Sequence, residues 1–334
     1  MEALYLVTGA AGHVGGTVVQ KLLAAGRHVR GLVLPGEKRL PEGTAEICFG
    51  DVRDPDSLAA FFSNPAQRPL IVIHCAGIVS ITSKFRQDVY DVNVTGTRNM
   101  LTLCHAHHVH KLVHVSSVHA IPELPAGQVI SEVDAFDPDA VHGLYAKTKA
   151  EATAAVLAAA AQGLPASVVH PSGICGPGDP GHGHITALVR DYSMDRLYAL
   201  MHGGYDFVDV RDVADGILAC YAQGRNGACY ILSNRYVSVK ELAAMLHEIT
   251  GRPRIRLMLP GWFLRLVAPL AELYYAQRNR PPLFTAYSLY TLRSNALFSH
   301  EKASAELGFA PRDFRETLTD TVRWLQEAGR LSVL

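Results

Sequence analysis

Tyr145 and Lys149 are the residues of this chain best placed to do acid–base chemistry. They are four positions apart in the run Tyr145-Ala146-Lys147-Thr148-Lys149, and side chains at this spacing share one face of a helix. A free tyrosine titrates near 10, and a neighbouring cation favours the phenolate and lowers the pKa. Such a tyrosine can take a proton from a secondary alcohol or return one to a carbonyl. The pair alone is equally compatible with a solvated helix face, so its surroundings must decide.

A glycine-rich loop follows the first apolar run of the chain. Residues 4–8 predict a short strand, Gly9, Gly12 and Gly15 follow it directly, and a helix is predicted over 13–25. This order is typical of a dinucleotide-binding fingerprint. The first glycine allows a tight turn, the second lets the backbone approach a pyrophosphate, and the third permits close helix packing. The helix N-terminus then offers unpaired N–H groups to the phosphates.

Further motifs follow along the chain. They are Gly50-Asp51-Val52-Arg53-Asp54, His74-Cys75-Ala76-Gly77, Asn93-Val94-Thr95-Gly96-Thr97, His114-Val115-Ser116-Ser117 and His170-Pro171-Ser172-Gly173-Ile174. Together with the glycine loop and the Tyr145–Lys149 pair, they resemble the extended branch of the short-chain dehydrogenase/reductase superfamily, the NAD-dependent epimerase/dehydratase group. The resemblance covers nearly the whole chain, and it implies a Rossmann-type α/β fold and an NAD(P)-dependent oxidoreductase.

The resemblance assigns the catalytic roles. Tyr145 would be the acid/base, and Lys149 would lower its pKa and hold the nicotinamide ribose. Ser117 would hydrogen-bond the substrate oxygen and stabilise the charge that develops there, with Ser116 as the alternative. Asn93 would bend its helix and help to hold a proton-relay water.

The resemblance also implies where a nicotinamide dinucleotide binds. The Asp51 side chain and the Val52 backbone would hold the adenine, and residues 75–77 would line the cofactor after the fourth strand. The turn after the sixth strand would grip the nicotinamide end. The complete implied set is Gly9, Ala11, Gly12, His13, Val14, Gly15, Leu34, Lys38, Asp51, Val52, Cys75, Ala76, Gly77, Tyr145, Lys149, Pro171, Gly173 and Ile174.

The end of the second strand bears on the choice between NAD and NADP. NAD enzymes place an Asp or Glu there for the ribose 2′-OH, whereas NADP enzymes place an Arg nearby. Leu34 supplies neither group. Lys38 and Arg39 could reach a 2′-phosphate, and Arg30 is a weaker candidate. We therefore favour NADP(H) slightly, while Glu37 keeps NAD(H) open.

Two substrate classes fit the extended branch. Nucleotide-sugar epimerases and dehydratases commonly place an Asn in the turn after the sixth strand and an Arg before the segment matching 206–210. Here those places hold Ser172 or Gly173 and Tyr205, which is more similar to the 3β-hydroxysteroid dehydrogenase and dihydroflavonol reductase group. We therefore predict interconversion of a secondary alcohol and a ketone on an apolar ring substrate. A nucleotide-sugar substrate is the alternative, and a non-catalytic dinucleotide sensor or scaffold is a third interpretation.

The residues predicted to face the substrate are Ser117, His119, His184 and Tyr205. His119 and His184 each follow a segment expected at the pocket. The histidines at 105, 107, 108, 110 and 114 cross a helix end, a loop and a strand, so they lack the set spacing of metal ligands. No metal is therefore predicted.

Strand-like and helix-like runs alternate up to about residue 170. Strands are predicted over 4–8, 28–33, 45–49, 70–74, 111–116 and 166–170, and helices over 13–25, 55–62, 88–107 and 143–162. This alternation predicts a doubly wound parallel sheet covered by helices.

A Gly/Pro-rich stretch at 176–180 marks the end of that alternation. Residues 1–175 with about 206–233 are predicted to form the Rossmann domain, and 176–205 with 234–334 a smaller substrate-binding lobe. Asp212 is predicted to cap a helix that ends near Gly224, and Ser238 to cap a helix over 238–250.

Composition excludes several other classes. The chain is 49% hydrophobic and 19% charged, which is ordinary for a globular protein. Lys plus Arg equals Asp plus Glu at 31 each, so no net field attracts nucleic acid. The 6 cysteines lack a CxxC pair, and the first strand begins too early to follow a signal peptide. We therefore predict reduced thiols, a cytoplasmic location and a small-molecule substrate.

Two segments bear on partners. The apolar stretch 257–276 is interrupted by Pro260, Arg265, Pro269 and Glu272, so no integral membrane span is predicted; a peripheral membrane contact stays open. The helix over 143–162 is alanine-rich on every side. Extended-branch relatives often dimerise through helices equivalent to 88–107 and 143–162, so a homodimer is predicted, with a monomer as the alternative.

Overall fold

The chain is organised around a parallel β-sheet of seven strands. The structure is a computed structural model of the 334-residue protein, and it describes residues 2–37, 46–80, 85–180, 183–261 and 290–331. The strands are β1 (Leu4–Thr8), β2 (His28–Val33), β3 (Glu46–Phe49), β4 (Leu70–His74), β5 (Lys111–Val115), β6 (Ala166–Pro171) and, after three strands outside this sheet, β10 (Cys229–Leu232). Their order is β10-β6-β5-β4-β1-β2-β3, and every neighbouring pair is parallel.

Ten helices accompany these strands in the described part of the chain. They are α1 (His13–Ala24), α2 (Ala59–Phe62), α3 (Gln87–Tyr90), α4 (Gly96–Ala106), α5 (Leu144–Ala161), α6 (His184–Ser193), α7 (Val210–Gln223), α8 (Val239–Thr250), α9 (Glu301–Leu307) and α10 (Phe314–Glu327). A π-helical turn, Asp91–Thr95, joins α3 to α4. None of the described helices combines the length and apolarity needed to cross a membrane.

Both faces of the sheet are buried, which explains why its strands are continuous apolar runs. Along β1, Leu4 and Leu6 enter one hydrophobic core, whereas Tyr5 and Val7 enter a second core on the opposite face. This alternation follows from the two-residue period of a strand. The predicted Rossmann-type α/β fold is confirmed, and the six predicted strands agree with the observed bounds to within one residue.

The carboxyl ends of the central strands lie at one edge of the sheet. β1, β4 and β5 pair in register through Thr8, His74 and His114. The loops that follow these strands therefore begin side by side. In open α/β sheets this edge is where ligands bind, so the glycine loop, residues 75–77 and Ser117 converge there.

Two small sheets lie outside the central one. β11 (Arg235–Ser238), β9 (Gly204–Asp209) and β7 (Gly173–Cys175) form one in that order, and β12 (Met258–Leu259) pairs with β8 (Leu200–Met201) in the other. β7 follows β6 directly, so the turn after the sixth strand is held between the large sheet and the three-stranded one.

The predicted cap of α7 is wrong by one turn. Asp209, rather than Asp212, is the N-cap, and its side chain accepts from the Arg211 backbone N–H. Asp212 instead accepts from the Arg312 guanidinium at 2.8 and 2.9 Å, so its carboxylate ties α7 to the C-terminal segment. Ser238 caps α8 as predicted, by accepting from the Glu241 N–H.

Substituting Gly15 by Ala should destabilise the fold. A Cβ at this position would lie 2.2 Å from the Gly9 carbonyl oxygen, so α1 would have to move away from the glycine turn. We expect a loss of about 1–3 kcal/mol in the free energy of unfolding, typical of overpacking, measured by urea denaturation. Gly16→Ala is the matched control, because its nearest contact, the Ala10 oxygen, is 3.3 Å away. Equal stability of the two variants would contradict the packing argument.

Candidate active site

The loop 9–12 has the geometry of a phosphate cradle. Gly9 adopts a φ of +65°, and a Cβ there would lie 3.0 Å from the Ala76 nitrogen. Gly12 is the N-cap of α1 and provides no side-chain cap, so the first-turn N–H groups are not satisfied by a capping side chain. A pyrophosphate would accept from these groups. The residues present therefore fit a dinucleotide at this end of the crevice.

His13 fastens the cradle to a neighbouring loop. Its Nε2 lies 3.0 Å from the Pro177 carbonyl oxygen, and a ring nitrogen facing a carbonyl must be the donor. Burial lowers the pKa of His13. Ala11 and Val14 flank the same turn. The structure thus places His13 beside the cradle, with its imidazole bonded to the protein's own backbone.

The turn after β4 packs against Asn93 and Lys149. A Cβ at Gly77 would lie 3.2 Å from Lys149 Nζ and 3.3 Å from Asn93 Oδ1, so glycine lets the backbone approach both groups. Asn93 lies in the π-helical turn. Such a turn interrupts the regular α-helix at the residue for which a helix bend is predicted. Its side chain bonds the Ile78 N–H and carbonyl at 2.8 and 3.0 Å.

Lys149 is buried at the centre of this arrangement. Its ammonium donates to the Val115 carbonyl at 2.9 Å, and its side chain is 5% exposed. Desolvation lowers the pKa of Lys149 to about 8. The charged form is therefore less favoured here than in water.

Tyr145 is buried beside Ser117, and its pKa departs from the sequence-based expectation. Burial raises the pKa of Tyr145 to about 12, and the hydrogen bond with the Ser117 side chain offsets this in part. The pKa of Tyr145 is therefore raised, not lowered as predicted, because desolvation outweighs the effect of Ser117. At neutral pH the phenol retains its proton.

The two candidate serines have different surroundings. Ser116 and Thr153 share a buried hydrogen bond of 2.7 Å between their hydroxyls, whereas Ser117 Oγ accepts from the His119 N–H at 3.3 Å and lowers the pKa of Tyr145. This geometry favours Ser117 as the substrate-facing hydroxyl and leaves Ser116 in a structural contact with α5.

A cavity of about 300 Å³ lies next to the segment that begins at Val118. His119 and Tyr205 line it; their rings stack at 5.6 Å, and Tyr205 Oη lies 3.0 Å from His119 Nε2. The His119 ring also meets Tyr145 edge-on at 5.9 Å. Burial lowers the pKa of His119 to about 4, so this imidazole is neutral at pH 7. The other lining residues are Val118, Ile121, Glu123, Ile130, Asp139, Ala140, Val141, His142, Ala146, Tyr290, Thr291, Ser294, Asn295 and Phe298.

Gly173 in the turn after β6 has no room for a side chain. A Cβ there would lie 2.9 Å from Phe207 Cδ1 and 3.0 Å from Tyr205 Cδ1. An asparagine at this position would therefore displace both aromatic rings. Pro171 ends β6, and Ile174 lies in β7 beside this crowded turn.

The adenine end of the crevice is less clearly defined. Asp51 accepts from the Arg53 guanidinium at 2.5 and 3.0 Å, and the Val52 carbonyl accepts from Asn99 at 2.9 Å. Leu34 is exposed at the end of β2. Lys38 and Arg39 lie outside the described residues.

Arg30 does not reach the cofactor edge, so its candidacy for a 2′-phosphate is wrong. The guanidinium is buried and donates to the carbonyls of Phe61 and Ser63 at 2.9 and 2.6 Å. It also pairs with Glu46 at 2.9 Å. The Arg30 side chain therefore links β2 to the segment around α2 through these hydrogen bonds.

Ser117 is not among the residues that line the cavity of about 300 Å³, and neither is the other predicted substrate residue, His184. It begins α6 on the surface and does not line the cavity formed by His119 and Tyr205. Conversely, sequence reasoning missed Phe207, which closes the turn at Gly173, and the contacts of His74, which ends β4 beside the cofactor-lining turn. The sequence signal that could have identified His74 is its place as a polar residue directly after the four apolar residues 70–73.

Comparison with known proteins gives one family for most of the chain. A family model described as the NAD dependent epimerase/dehydratase family matches residues 5–233. The curated protein "Sterol demethylase protein B" of Methylococcus capsulatus is 31% identical over 334 aligned residues, covering 98% of this chain and 99% of that protein. A "Putative dihydroflavonol 4-reductase" of Synechocystis is 29% identical, covering 98% of this chain and 96% of its own length.

The fold of a solved structure agrees with this comparison. The crystal structure of the protein gox2253 superposes with a TM-score of 0.84 at 30% identity, covering 99% of each chain. The similarity therefore extends over the central sheet and the C-terminal segments alike.

Replacing Lys149 by Met should flatten the pH dependence of stability above pH 8. The folded-state pKa of Lys149 is about 8 against 10.5 for the free side chain, so between these values the unfolded chain binds more protons. The free energy of unfolding of the wild-type protein therefore rises with pH over this range. From pH 8 to 10, wild type should gain roughly 1–3 kcal/mol relative to Lys149→Met, measured by urea unfolding.

The exposed neighbour supplies the control for that titration. Lys147 lies on the same helix and is exposed to solvent. The Lys147→Met variant should therefore show the same pH dependence of stability as the wild type. A constant difference between wild type and Lys149→Met from pH 7 to 10 would show that Lys149 titrates as an ordinary exposed lysine.

Proposed function

Since this chain belongs to the NAD-dependent epimerase/dehydratase family, we propose that it interconverts a secondary alcohol and a ketone on an apolar ring substrate, with Tyr145 as the acid/base. The family shows that the protein is an NAD(P)-dependent oxidoreductase of the extended short-chain dehydrogenase/reductase type. The proposal concerns the reaction, its residues and its substrate.

The observation that carries the reaction is the contact of Tyr145 with Ser117 beside the buried Lys149. Ser117 directly follows β5 and lowers the pKa of the buried Tyr145 phenol, so we expect both hydroxyls to reach a single substrate oxygen. Tyr145 would give its proton to a ketone oxygen or take one from an alcohol. Ser117 would donate to the same oxygen and stabilise its developing charge.

The glycine cradle, residues 75–77 and the turn 171–174 would hold the cofactor. When bound, a nicotinamide dinucleotide supplies or accepts the hydride. Lys149 would hold the nicotinamide ribose and favour the ionised form of Tyr145, and the Asp51 side chain with the Val52 backbone would hold the adenine. Asn93 would fix the turn 75–78 and help to hold the proton-relay water.

The substrate class is inferred from the turn at Gly173. Tyr205 and Phe207 occupy the space that a polar side chain at position 173 would need, so an amide grip on a diphosphate does not fit there. Val118, Ile121 and Phe298 contribute apolar groups to the cavity wall, although polar groups form the larger part of its surface. The printed names of the two relatives refer to a sterol and a dihydroflavonol. These observations favour a hydroxysteroid or flavonoid-like ring over a nucleotide sugar.

We also propose an arrangement of lobes and subunits. Residues 1–175 with about 206–233 would bind the cofactor, and 176–205 with 234–334 would bind the substrate. A homodimer would form through α4 and α5, which are linked within one chain by the Arg98–Glu151 ion pair at 2.8 Å.

Tyr145→Phe should abolish turnover and preserve cofactor binding. The substitution removes the proton donor while retaining the ring, so we expect kcat with a ring alcohol or ketone to fall by about 10²- to 10⁴-fold. Cofactor affinity, followed by nicotinamide fluorescence, should change little. Tyr192→Phe is the control, since that hydroxyl donates to the Pro253 carbonyl at 3.2 Å, away from the Tyr145 site. Retained activity in Tyr145→Phe would remove the proposed acid/base.

Lys38→Ala should discriminate between the cofactors. We propose that Lys38 contacts a ribose 2′-phosphate, because the end of β2 presents the apolar Leu34 in place of a carboxylate. The loss of one charge-assisted contact should raise the dissociation constant for NADPH by about tenfold and leave that for NADH unchanged. Tighter binding of NADH than of NADPH by the wild-type protein would overturn this preference.

A further inference from the structure

Thr8, His74 and Thr97 form a buried hydrogen-bond chain that the reaction proposed above does not use. Thr8 Oγ1 lies 2.8 Å from His74 Nδ1 and accepts from the Ala76 N–H at 3.1 Å. His74 Nε2 lies 3.1 Å from Thr97 Oγ1, which donates to the Asn93 carbonyl at 2.7 Å. All three side chains are at most 1% exposed, so these bonds are made in the absence of competing water.

The direction of each bond in this chain is fixed. Thr97 has one hydroxyl proton and gives it to a carbonyl, so it must accept from His74 Nε2–H. The other nitrogen of a neutral imidazole is an acceptor, and Nδ1 therefore receives the Thr8 hydroxyl proton. Only the neutral Nε2–H form of His74 satisfies every group. Burial, which lowers the pKa of His74 to about 3, agrees with this assignment.

The series of hydrogen bonds through Thr8, His74 and Thr97 begins and ends at the turn 75–78. It begins at the Ala76 N–H and ends at the Asn93 backbone, and the Asn93 side chain in turn bonds both the N–H and the carbonyl of Ile78. The two ends of the turn 75–78 are thus held by one closed ring of hydrogen bonds. Gly77, between them, contacts Lys149 and Asn93 closely.

We propose that His74 is a positioning residue that fixes the turn 75–78 and thereby sets the affinity of the site for its dinucleotide. Imidazole suits this role because its donor and acceptor lie on different sides of one rigid ring. A glutamine carries both functions on a single flexible end, so it cannot bridge two threonines in the same way. This inference rests on the cofactor site proposed above.

His74→Phe and His114→Phe form a matched pair that tests the proposal. His114 lies opposite His74 on β5, with ring centroids 5.3 Å apart and equal burial. Neither of its ring nitrogens has a hydrogen-bond partner among the described residues. Phenylalanine keeps a ring at either position and removes the nitrogens.

The readout is the dissociation constant for NADPH and NADH, measured by fluorescence without substrate. We expect His74→Phe to weaken binding at least about tenfold, since two buried bonds are lost, and His114→Phe to stay within about twofold of wild type. Unchanged affinity in folded His74→Phe, or an equal loss in His114→Phe, would overturn the proposal.

A second pair of variants serves if His74→Phe does not fold. Thr8→Val and Thr97→Val each remove one hydroxyl, and each should weaken binding about fivefold. Because both act through one imidazole, the double variant should lose less than the product of the single losses. If the losses of affinity in the single variants multiply in the double variant, the two threonines act independently of each other, and a role for His74 is refuted.

The outcomes also separate this inference from the proposed reaction. A wild-type protein that binds the dinucleotide but turns over no substrate refutes the chemistry of Tyr145 alone. Binding that is insensitive to His74→Phe refutes the positioning role alone, and the absence of any dinucleotide binding refutes both.

Discussion

The burial of Lys149 is the constraint on which the site depends. A cation removed from water is costly, and the Val115 carbonyl compensates in part by accepting a hydrogen bond from the ammonium. The same desolvation acts on Tyr145 with the opposite effect, so the lysine pKa falls to about 8 while the tyrosine pKa rises to about 12. The phenol therefore carries its proton at neutral pH, which is the form that the proposed protonation of a ketone oxygen requires.

The fold and the placement of the main residues could be predicted because they depend on local sequence. Continuous apolar runs predicted the central strands, and the glycine spacing predicted the cradle. The four-residue spacing predicted that Tyr145 and Lys149 lie on one helix, as they do. The pKa of Tyr145 could not be predicted in the same way, because burial depends on segments far along the chain. The same holds for Arg30, whose position in β2 near a cofactor edge did not reveal that its guanidinium turns towards α2. The Thr8–His74–Thr97 chain joins residues from β1, β4 and α4, and only the paired strands bring these together.

The turn after β6 connects the fold to substrate choice. β7 leaves the large sheet directly and pairs with β9, which carries Tyr205 and Phe207 into contact with Gly173. Packing therefore requires a residue without a side chain at position 173, one of the two positions (172 or 173) where we expect sugar-nucleotide enzymes to present an amide. Tyr205 then reaches His119, which meets Tyr145 edge-on. One line of aromatic contacts thus extends from the crowded turn to the Tyr145 ring.

Nicotinamide absorbance, recorded with the wild-type protein over panels of steroids, flavonoids and nucleotide sugars with each cofactor, tests this account most directly. We expect stoichiometric oxidation or reduction of the cofactor with a ring alcohol or ketone of the steroid or flavonoid type, and no conversion of nucleotide sugars. Conversion of a nucleotide sugar, with no absorbance change for any apolar ring compound, would contradict the account.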